Sequence, residues 1–220
     1  MPRQLSVMPV ASRGSRRAFS VMKPVEIGKA YDQIVHLWTS EGFNRQNGIQ
    51  QHKKAISFAQ SRGHALDIGC GCTGRFIDLL VSEGFEPEGV DVSEEMIKLA
   101  RERNPEITFH HQDICDWDLP KGYDFITAWD SIWHIPLEQQ ERVLTKIING
   151  LNKDGIFIFS FGGGSGPGDH KNTFMGPEVY YSSLGTNGFL SLFMKLGCVC
   201  RHLEYDQYPE LHTYLIVQKI

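Results

Sequence analysis

The pattern of apolar and polar positions changes at His64 and divides the chain into two parts. Before this point, apolar side chains recur at helical spacing, which predicts an amphipathic helix over residues 25–38 and a second helix over residues 50–61. After it, short apolar runs alternate with helical stretches. The predicted strands cover residues 64–67, 88–92, 107–111, 123–129 and 156–160. This alternation predicts a parallel sheet with helices on both faces.

The last third of the chain departs from the alternation. A glycine-rich loop over residues 161–168 is expected to lead through Asp169, His170 and Lys171 into a helix that ends near Leu196. Two strands follow, at residues 198–205 and 214–218, and the short connection between them has no room for a crossover helix. These two strands must therefore pair antiparallel. The whole is expected to be a doubly wound α/β sheet of about seven strands, mostly parallel, with one antiparallel strand in a C-terminal hairpin.

A glycine-rich turn follows the first predicted strand, and residues 67–76 have the sequence DIGCGCTGRF. Glycines let a backbone turn sharply and approach a ligand closely. The helix that opens near Thr73 offers unpaired N–H groups and the positive end of its dipole. Asp67 precedes these groups, where a negative charge would not favour a pyrophosphate. The turn therefore predicts a nucleotide-like ligand that carries positive charge.

The same turn also fits a second class of protein. Gly69, Gly71 and Gly74 match the dinucleotide fingerprint G-x-G-x-x-G, and Asp91 follows seventeen residues after the last glycine. This motif is short and weak. By itself it leaves open an NAD(P)-dependent Rossmann oxidoreductase.

Three further features of the sequence favour the cationic ligand. They are Asp67, the end of the second strand at Val90-Asp91-Val92 with Met96 after it, and the end of the third strand at Gln112-Asp113-Ile114. With the turn, they resemble the class I S-adenosylmethionine-dependent methyltransferases over residues 30–218, and most of all the small-molecule branch that includes ubiquinone-biosynthesis enzymes. The resemblance implies a single Rossmann-like domain, S-adenosylmethionine as cofactor with S-adenosylhomocysteine as product, and two N-terminal helices that form a lid.

The resemblance also implies a role for each matching position. Gly69 and Gly71 would lie along the methionine part of the cofactor, with Asp67 near its ammonium group. Asp91 would accept hydrogen bonds from both ribose hydroxyls, because a carboxylate has two acceptor oxygens. The remaining expected contacts are Val92, Met96, Asp113 and Ile114 around the adenine, Ala128 and Trp129 beside the methionine and the methyl group, and Tyr31 in the lid. Core packing would equally account for Met96, Ile114 and Tyr31.

The methyl acceptor is expected to meet the cofactor beyond the carboxyl ends of the strands, near residues 129–134 and 162–181. Two histidines in these stretches are candidates for a catalytic base. His170 lies in a glycine-flanked loop and is the preferred base, whereas His134 precedes a helix, where a structural role is favoured. The turn at residues 205–212 is rich in Tyr, Asp and His. It forms either a wall of the substrate site or simply a polar turn.

The expected reaction is an in-line methyl transfer to an oxygen or nitrogen of a small molecule. Enzymes that methylate bases or glutamine generally carry Asn or Asp, two prolines and an aromatic residue after the fourth strand, whereas residues 128–131 are AWDS. Residues 24–220 hold 17 basic and 26 acidic side chains, a formal charge of −9, which argues against a nucleic-acid partner. A non-catalytic, cofactor-binding module with a protein partner is the remaining alternative.

The first 23 residues are expected to lie outside the domain formed by residues 24–220. They hold five basic and no acidic side chains, which predicts a basic, disordered leader on a cytoplasmic protein. An organellar transit peptide is the alternative. No apolar run approaches the ~18 residues that a membrane span requires. The pairs Cys70/Cys72 and Cys198/Cys200 are interpreted as small buried residues, so no metal is expected. The oligomeric state is not indicated.

Overall fold

A computed structural model describes residues 21–220 of the chain, so the predicted leader lies almost entirely outside the described residues. The strands are β1 (His64–Ile68), β2 (Glu86–Asp91), β3 (Phe109–His111), β4 (Tyr123–Ala128), β5 (Leu151–Gly162), β6 (Gly168–Asn172), β7 (Val179–Ser183), β8 (Cys198–Glu204) and β9 (His212–Lys219). The helices are α1 (Pro24–Ile34), α2 (His36–Thr39), α3 (Ile49–Ile56), α4 (Arg75–Ser82), α5 (Glu94–Arg103), α6 (Leu137–Gly150) and α7 (Gly185–Lys195), with a 3₁₀ turn at Ile132–His134. None of the helices in this part of the chain is long and apolar enough to cross a membrane.

Seven of the strands form one sheet in the order β3-β2-β1-β4-β5-β9-β8. The first five are parallel, and β9 runs antiparallel to both of its neighbours. The predicted fold class is therefore confirmed. The strand order reverses between β1 and β4, and ligands of such sheets bind at the carboxyl ends of the strands beside this switch point.

Both faces of the sheet are buried, as the apolar strands predict. In β5, Phe157, Phe159 and Phe161 pack in one core cluster with residues of α6 and α7, and the rings of Phe159 and Phe189 lie 5.2 Å apart. The alternate side chains of β5 and β9 belong to a second cluster that α3 and α4 cover. The helices cover the faces of the sheet, and loops at the carboxyl ends of the strands form the site.

Helix α5 begins where the sequence predicts, because Ser93 caps it. The Ser93 hydroxyl accepts a hydrogen bond from the Met96 amide at 3.2 Å. Asp32 of α1 adds a contact that the sequence did not predict, since its carboxylate accepts from the Ser93 hydroxyl at 2.6 Å and from the Glu95 amide at 3.1 Å. Helix α1 is thereby fixed at the carboxyl end of β2.

The segment between β5 and α7 is where the sequence-based prediction was wrong. Instead of a loop that leads directly into a helix, β6 and β7 form an antiparallel hairpin in which His170 pairs with Tyr181. The residues of β6 are all exposed or half-buried, so they carry no apolar alternation. The hairpin is held through β7, where Val179 and Tyr180 pack against α1. A contact so distant along the chain leaves no local sequence signal.

Three smaller predictions also need correction. The helix predicted over residues 25–38 is divided at Val35 into α1 and α2. The strand predicted over residues 156–160 is longer, because β5 spans Leu151–Gly162 and contains an irregularity at Asp154, which has a φ of 64°. Cys198 is buried, but Cys200 is exposed, because β8 is the edge strand and its pairing with β9 shifts after Cys200.

Candidate active site

Two adjoining cavities lie at the carboxyl ends of β1, β2 and β4. The smaller, of about 100 Å³, is lined by residues that end or follow β1, β2 and β3, by the segment after β4 and by residues of α1. The larger, of about 380 Å³, lies between the glycine turn, the exit of β4, α2 and the β6–β7 hairpin. Four residues line both cavities, and they are Tyr31, Gly69, Asp91 and Asp130. We call the place where the cavities meet, marked by these four residues, the junction.

Most of the site residues predicted from the sequence are brought together here. Besides the junction residues, the smaller cavity is lined by Val92, Asp113, Ile114 and His134, and the larger cavity by Gly71, Met96 and Trp129. Three predicted residues do not line either cavity. They are Asp67 and Ala128, which are buried within the sheet, and His170 on the hairpin.

The N-terminal lid is only partly as expected. Helix α1 contributes Tyr31 to both cavities, and α2 contributes Leu37 and Trp38 to the larger one. The second predicted helix, α3, packs instead against α4 and β5 and contributes no lining residue.

The glycine turn has two positions with different constraints. Gly69 has a φ of 69°, and a β-carbon there would overlap the side chain of Ser131, whose hydroxyl donates to the Ile68 carbonyl at 2.8 Å. Gly71 has a φ of 55°, but a β-carbon there would meet no atom within 4 Å. Gly69 is therefore required by packing, whereas the open side of Gly71 faces the larger cavity.

The Asp91 carboxylate is fixed by the backbone around it. Oδ2 accepts from the Gly71 amide and Oδ1 from the Ser93 amide, both at 2.9 Å. Burial raises the pKa of Asp91, although these hydrogen bonds oppose the shift. Because each oxygen has further acceptor capacity, the carboxylate can also receive two neighbouring hydroxyl groups at the junction.

The Asp67 carboxyl lies beneath the turn, with its side chain 2% exposed. Within residues 21–220 it makes no hydrogen bond to another protein group. The pKa of Asp67 is raised to about 7. Burial is the largest cause of this increase, the positive charge of Arg75 opposes it, and the negative charge of Asp91 adds to it. A buried carboxylate is costly without a partner, so the ionised form would be stabilised by a positively charged ligand group nearby.

Replacing Asp67 by asparagine is expected to stabilise the free protein and to weaken cofactor binding. Because the Asp67 carboxyl ionises near pH 3.8 in the unfolded chain and near pH 7 in the folded one, folding becomes less favourable between these pH values, the full cost is present at pH 8, and the neutral amide avoids it. We expect the free energy of unfolding at pH 8 to increase by about 1–3 kcal/mol. Urea unfolding at pH 8 and pH 5 checks this prediction, and the gain should shrink at pH 5. An equal or lower stability of the variant at pH 8 would contradict it.

His134 is held as a neutral ring that joins three segments. Its Nδ1 donates to the Tyr180 carbonyl at 2.8 Å, and its Nε2 accepts from the Tyr31 hydroxyl at 2.7 Å and from the Trp133 indole at 3.0 Å. Burial lowers the pKa of His134 to about 4. Both nitrogens of His134 are engaged, and the ring connects α1, the 3₁₀ turn and the hairpin. These contacts favour the structural role over that of a catalytic base.

His170 is not brought to the junction. It lies on β6, its ring stacks on Tyr181 with 5.2 Å between the ring centres, and burial lowers its pKa. Its role as a base stays a prediction that the geometry does not support.

A buried charge cluster at the exit of β4 was not predicted from the sequence. It consists of His212, which is 2% exposed, between Asp130 at 3.0 Å from Nε2 and Asp206 at 2.5 Å from Nδ1. Burial by itself lowers the pKa of His212, but the hydrogen bonds to both carboxylates outweigh it and raise the pKa to about 9. The imidazolium therefore donates to both acids. The polar turn at residues 205–212 was the available signal, but nothing local indicates its partner Asp130.

Comparison with known proteins identifies a methyltransferase domain within the chain. A family model described as a methyltransferase domain matches residues 65–155. A dTDP-3-amino-3,6-dideoxy-α-D-glucopyranose N,N-dimethyltransferase of Streptomyces fradiae is 28% identical over 141 residues, which are 60% of this chain and 52% of the relative. The phosphoethanolamine N-methyltransferase of Plasmodium falciparum is 26% identical over 126 residues, 54% of this chain and 47% of the relative. The chain thus spans about half the length of these relatives.

A solved structure extends the similarity to the whole fold. The magnesium protoporphyrin IX methyltransferase of Synechocystis PCC 6803, with bound S-adenosylmethionine, superposes with a TM-score of 0.69 and 16% identity over 92% of this chain and 100% of that one. Residues 65–155 thus form a methyltransferase domain, and the described residues have the fold of S-adenosylmethionine-dependent methyltransferases. The family, the enzyme class and the cofactor predicted from the sequence are confirmed at this level.

The residues of this methyltransferase fit the cofactor of its family. The open side of Gly71 leaves room for a ligand against the backbone, and Asp91 has free acceptor positions at the junction. Buried Asp67 lacks a protein hydrogen-bond partner, which suits a ligand with positive charge. Asp113 uses one oxygen for the Cys115 amide at 2.8 Å, so its other oxygen can accept from a ligand amino group in the smaller cavity.

Proposed function

We propose that this chain transfers a methyl group from S-adenosylmethionine to an oxygen or nitrogen atom of a small-molecule acceptor. The observation that carries the proposal is the junction. There, the carboxylate of Asp91 and the glycine turn, which match the family motif, open directly into a second and larger cavity. The smaller cavity suits the adenine and ribose, and the larger cavity leaves space for the methionine part and an acceptor.

In the proposed function, backbone groups and carboxylates bind the cofactor. Gly69 and Gly71 let the main chain lie along the cofactor, and Asp91 orients it through the ribose hydroxyls. Bound S-adenosylmethionine would supply a methyl group whose carbon a nucleophile attacks in line, with the sulfonium sulfur leaving as a thioether. The chain aligns the acceptor with this methyl group, and alignment of two reactants is a major source of catalysis.

Water is excluded at the junction by the hairpin and by α1. Tyr31 lies over both cavities, and its hydroxyl is held by His134. His134 is itself anchored to the backbone of β7, so these elements support one another. Burial raises the pKa of Tyr31, which keeps the phenol protonated. We infer that Tyr31 closes the site rather than takes a proton.

The lining of the larger cavity supports a small and partly apolar acceptor. Its volume of about 380 Å³ is in the range of small-molecule sites. Eight aromatic rings surround it, and they are Tyr31, Trp38, Phe43, Phe76, Trp129, Trp133, Phe174 and Tyr181. The two curated relatives carry names of enzymes for small molecules, an amino sugar nucleotide and phosphoethanolamine. The formal charge of −9 on residues 24–220 does not favour a nucleic acid.

Titration calorimetry tests the cofactor part of the proposal. We expect S-adenosylhomocysteine and S-adenosylmethionine to bind, and NAD⁺ and NADP⁺ not to bind. Binding of a dinucleotide without either sulfur compound would instead favour the oxidoreductase that the glycine motif left open.

A transfer assay tests the catalytic part. The protein is incubated with methyl-labelled S-adenosylmethionine and the small-molecule fraction of a cell extract, and the labelled products are separated by mass. We expect label in a compound that depends on the protein. Cofactor binding with no labelled product would favour the non-catalytic module.

A further inference from the structure

We propose that the acceptor atom is an amine nitrogen and that Asp130 is the catalytic residue that accepts its N–H and stabilises the positive charge that develops on it. This inference deepens the proposed function and rests on it. It starts from the exit of β4, where Asp130 has a φ of 55° and lines both cavities.

The Asp130 carboxylate has one engaged and one available oxygen. Oδ1 accepts from the His212 ring at 3.0 Å and from the Ser160 hydroxyl at 2.9 Å. Among residues 21–220, Oδ2 has a single protein donor, the Asn47 side chain, at the longer distance of 3.3 Å. With its side chain 30% exposed, Asp130 retains acceptor capacity on the cavity side.

Asp130 is held as an anion. Burial raises the pKa of its carboxyl, but the hydrogen bond and positive charge of His212 outweigh burial, so the pKa lies below its usual value. Asp206 fixes the other side of the imidazolium, and the Gln51 side chain donates to Asp206 at 2.9 Å. His212 therefore acts as a positioning residue that keeps Asp130 ionised and in place.

A fixed anion of low basicity favours an amine over an alcohol. An alcohol must lose its proton as it attacks, which requires a base, and among the described junction residues neither Tyr31 nor Asp130 is suited to that role. A neutral amine, formed when its ammonium form releases a proton to water, attacks through its own lone pair and needs no protein base for that step. An ionised carboxylate at hydrogen-bond distance then stabilises the charge that appears on nitrogen.

The atoms and charges of this step balance. The nitrogen lone pair forms the new N–C bond while the C–S bond breaks, and the electron pair of the broken bond stays on sulfur. Nitrogen gains the positive charge that sulfur loses. The proton of the resulting ammonium then leaves to water.

The surroundings of Asp130 also suit a cation. The rings of Trp129, Trp133 and Tyr181 line the same cavity, and aromatic faces attract ammonium groups. Arg75 also lines this cavity, but its guanidinium is engaged with the Asn47 carbonyl at 3.1 Å and the Thr73 hydroxyl at 3.1 Å. The guanidinium of Arg75 thus makes no hydrogen bond to Asp130, whose carboxylate remains able to bind a ligand group.

Paired acceptors test the inference in the wild-type protein. Methyl transfer from labelled S-adenosylmethionine is measured with amines and alcohols of the same carbon skeleton: butylamine and butanol, cyclohexylamine and cyclohexanol, benzylamine and benzyl alcohol, 2-phenylethylamine and 2-phenylethanol. We expect label in amines and none in the matched alcohols. Label in the alcohols, or binding of S-adenosylhomocysteine with no label in any amine, would overturn the inference. Loss of S-adenosylhomocysteine binding itself would instead count against the proposed function.

Two matched substitutions test the role of Asp130. Asp130→Asn keeps the shape and removes the charge, so we expect kcat/KM for the labelled amine to fall at least about tenfold, with S-adenosylhomocysteine affinity changed less than a few-fold. Asp116→Asn, at a side chain 85% exposed on the surface, is the control and should leave both unchanged. Unchanged kcat/KM in folded Asp130→Asn would overturn the role of Asp130. If that variant does not fold, the paired acceptors still decide the amine assignment.

Discussion

Gly71→Ala is expected to abolish measurable binding of S-adenosylhomocysteine while the protein remains folded. The added β-carbon would meet no protein atom within 4 Å, so it projects into the space that the cofactor needs. The φ of 55° adds a strain of about 1–2 kcal/mol to the folded state. Calorimetry measures the affinity, and circular dichroism with urea unfolding measures the fold.

Gly84 offers a matched control for this strain. It has a φ of 85° after α4, a β-carbon there would also meet no atom within 4 Å, and it does not line either cavity. Gly84→Ala should lose similar stability and keep wild-type affinity. Gly69→Ala should destabilise the protein more than Gly71→Ala does, since overlap with Ser131 adds about 1–3 kcal/mol of destabilisation to the same strain. Wild-type affinity in Gly71→Ala would contradict the placement of the cofactor.

Asp91→Ala is expected to weaken S-adenosylhomocysteine binding by about 1–3 kcal/mol, or roughly 5- to 150-fold. The substitution removes the carboxylate that would receive the ribose hydroxyls. It also removes the acceptor of the Gly71 and Ser93 amides, so urea unfolding must accompany the calorimetry. Asp116→Ala on the surface is the control. An affinity within twofold of the wild type in folded Asp91→Ala would show that the ribose assignment is wrong.

The cofactor side of this protein could be predicted because its residues follow local rules. Each lies at the end of a strand that its own apolar run identifies, and parallel strands bring their carboxyl ends to one edge. Thus Gly69, Asp91, Val92, Asp113 and Ile114 were placed together from the sequence, and all of them line the smaller cavity.

The acceptor side could not be predicted because it is built from segments that meet only in three dimensions. His170 was chosen as a base from a glycine-flanked segment. That segment is a strand, because its partner β7 packs against α1. His134 was placed correctly before a helix. Its hydrogen bond with Tyr31, 103 positions away, favours the structural role over the catalytic one.

By itself, the sequence determined the doubly wound sheet, the glycine turn and the acidic positions at the strand ends, because strand, turn and helix patterns are local. Only the tertiary structure decided that His212 meets Asp130, 82 positions away, and that both lie beside the larger cavity. The physical reason is that a buried imidazolium and its carboxylates are stabilised by one another and not by their sequence neighbours. Their pairing depends on β9 lying antiparallel beside β5.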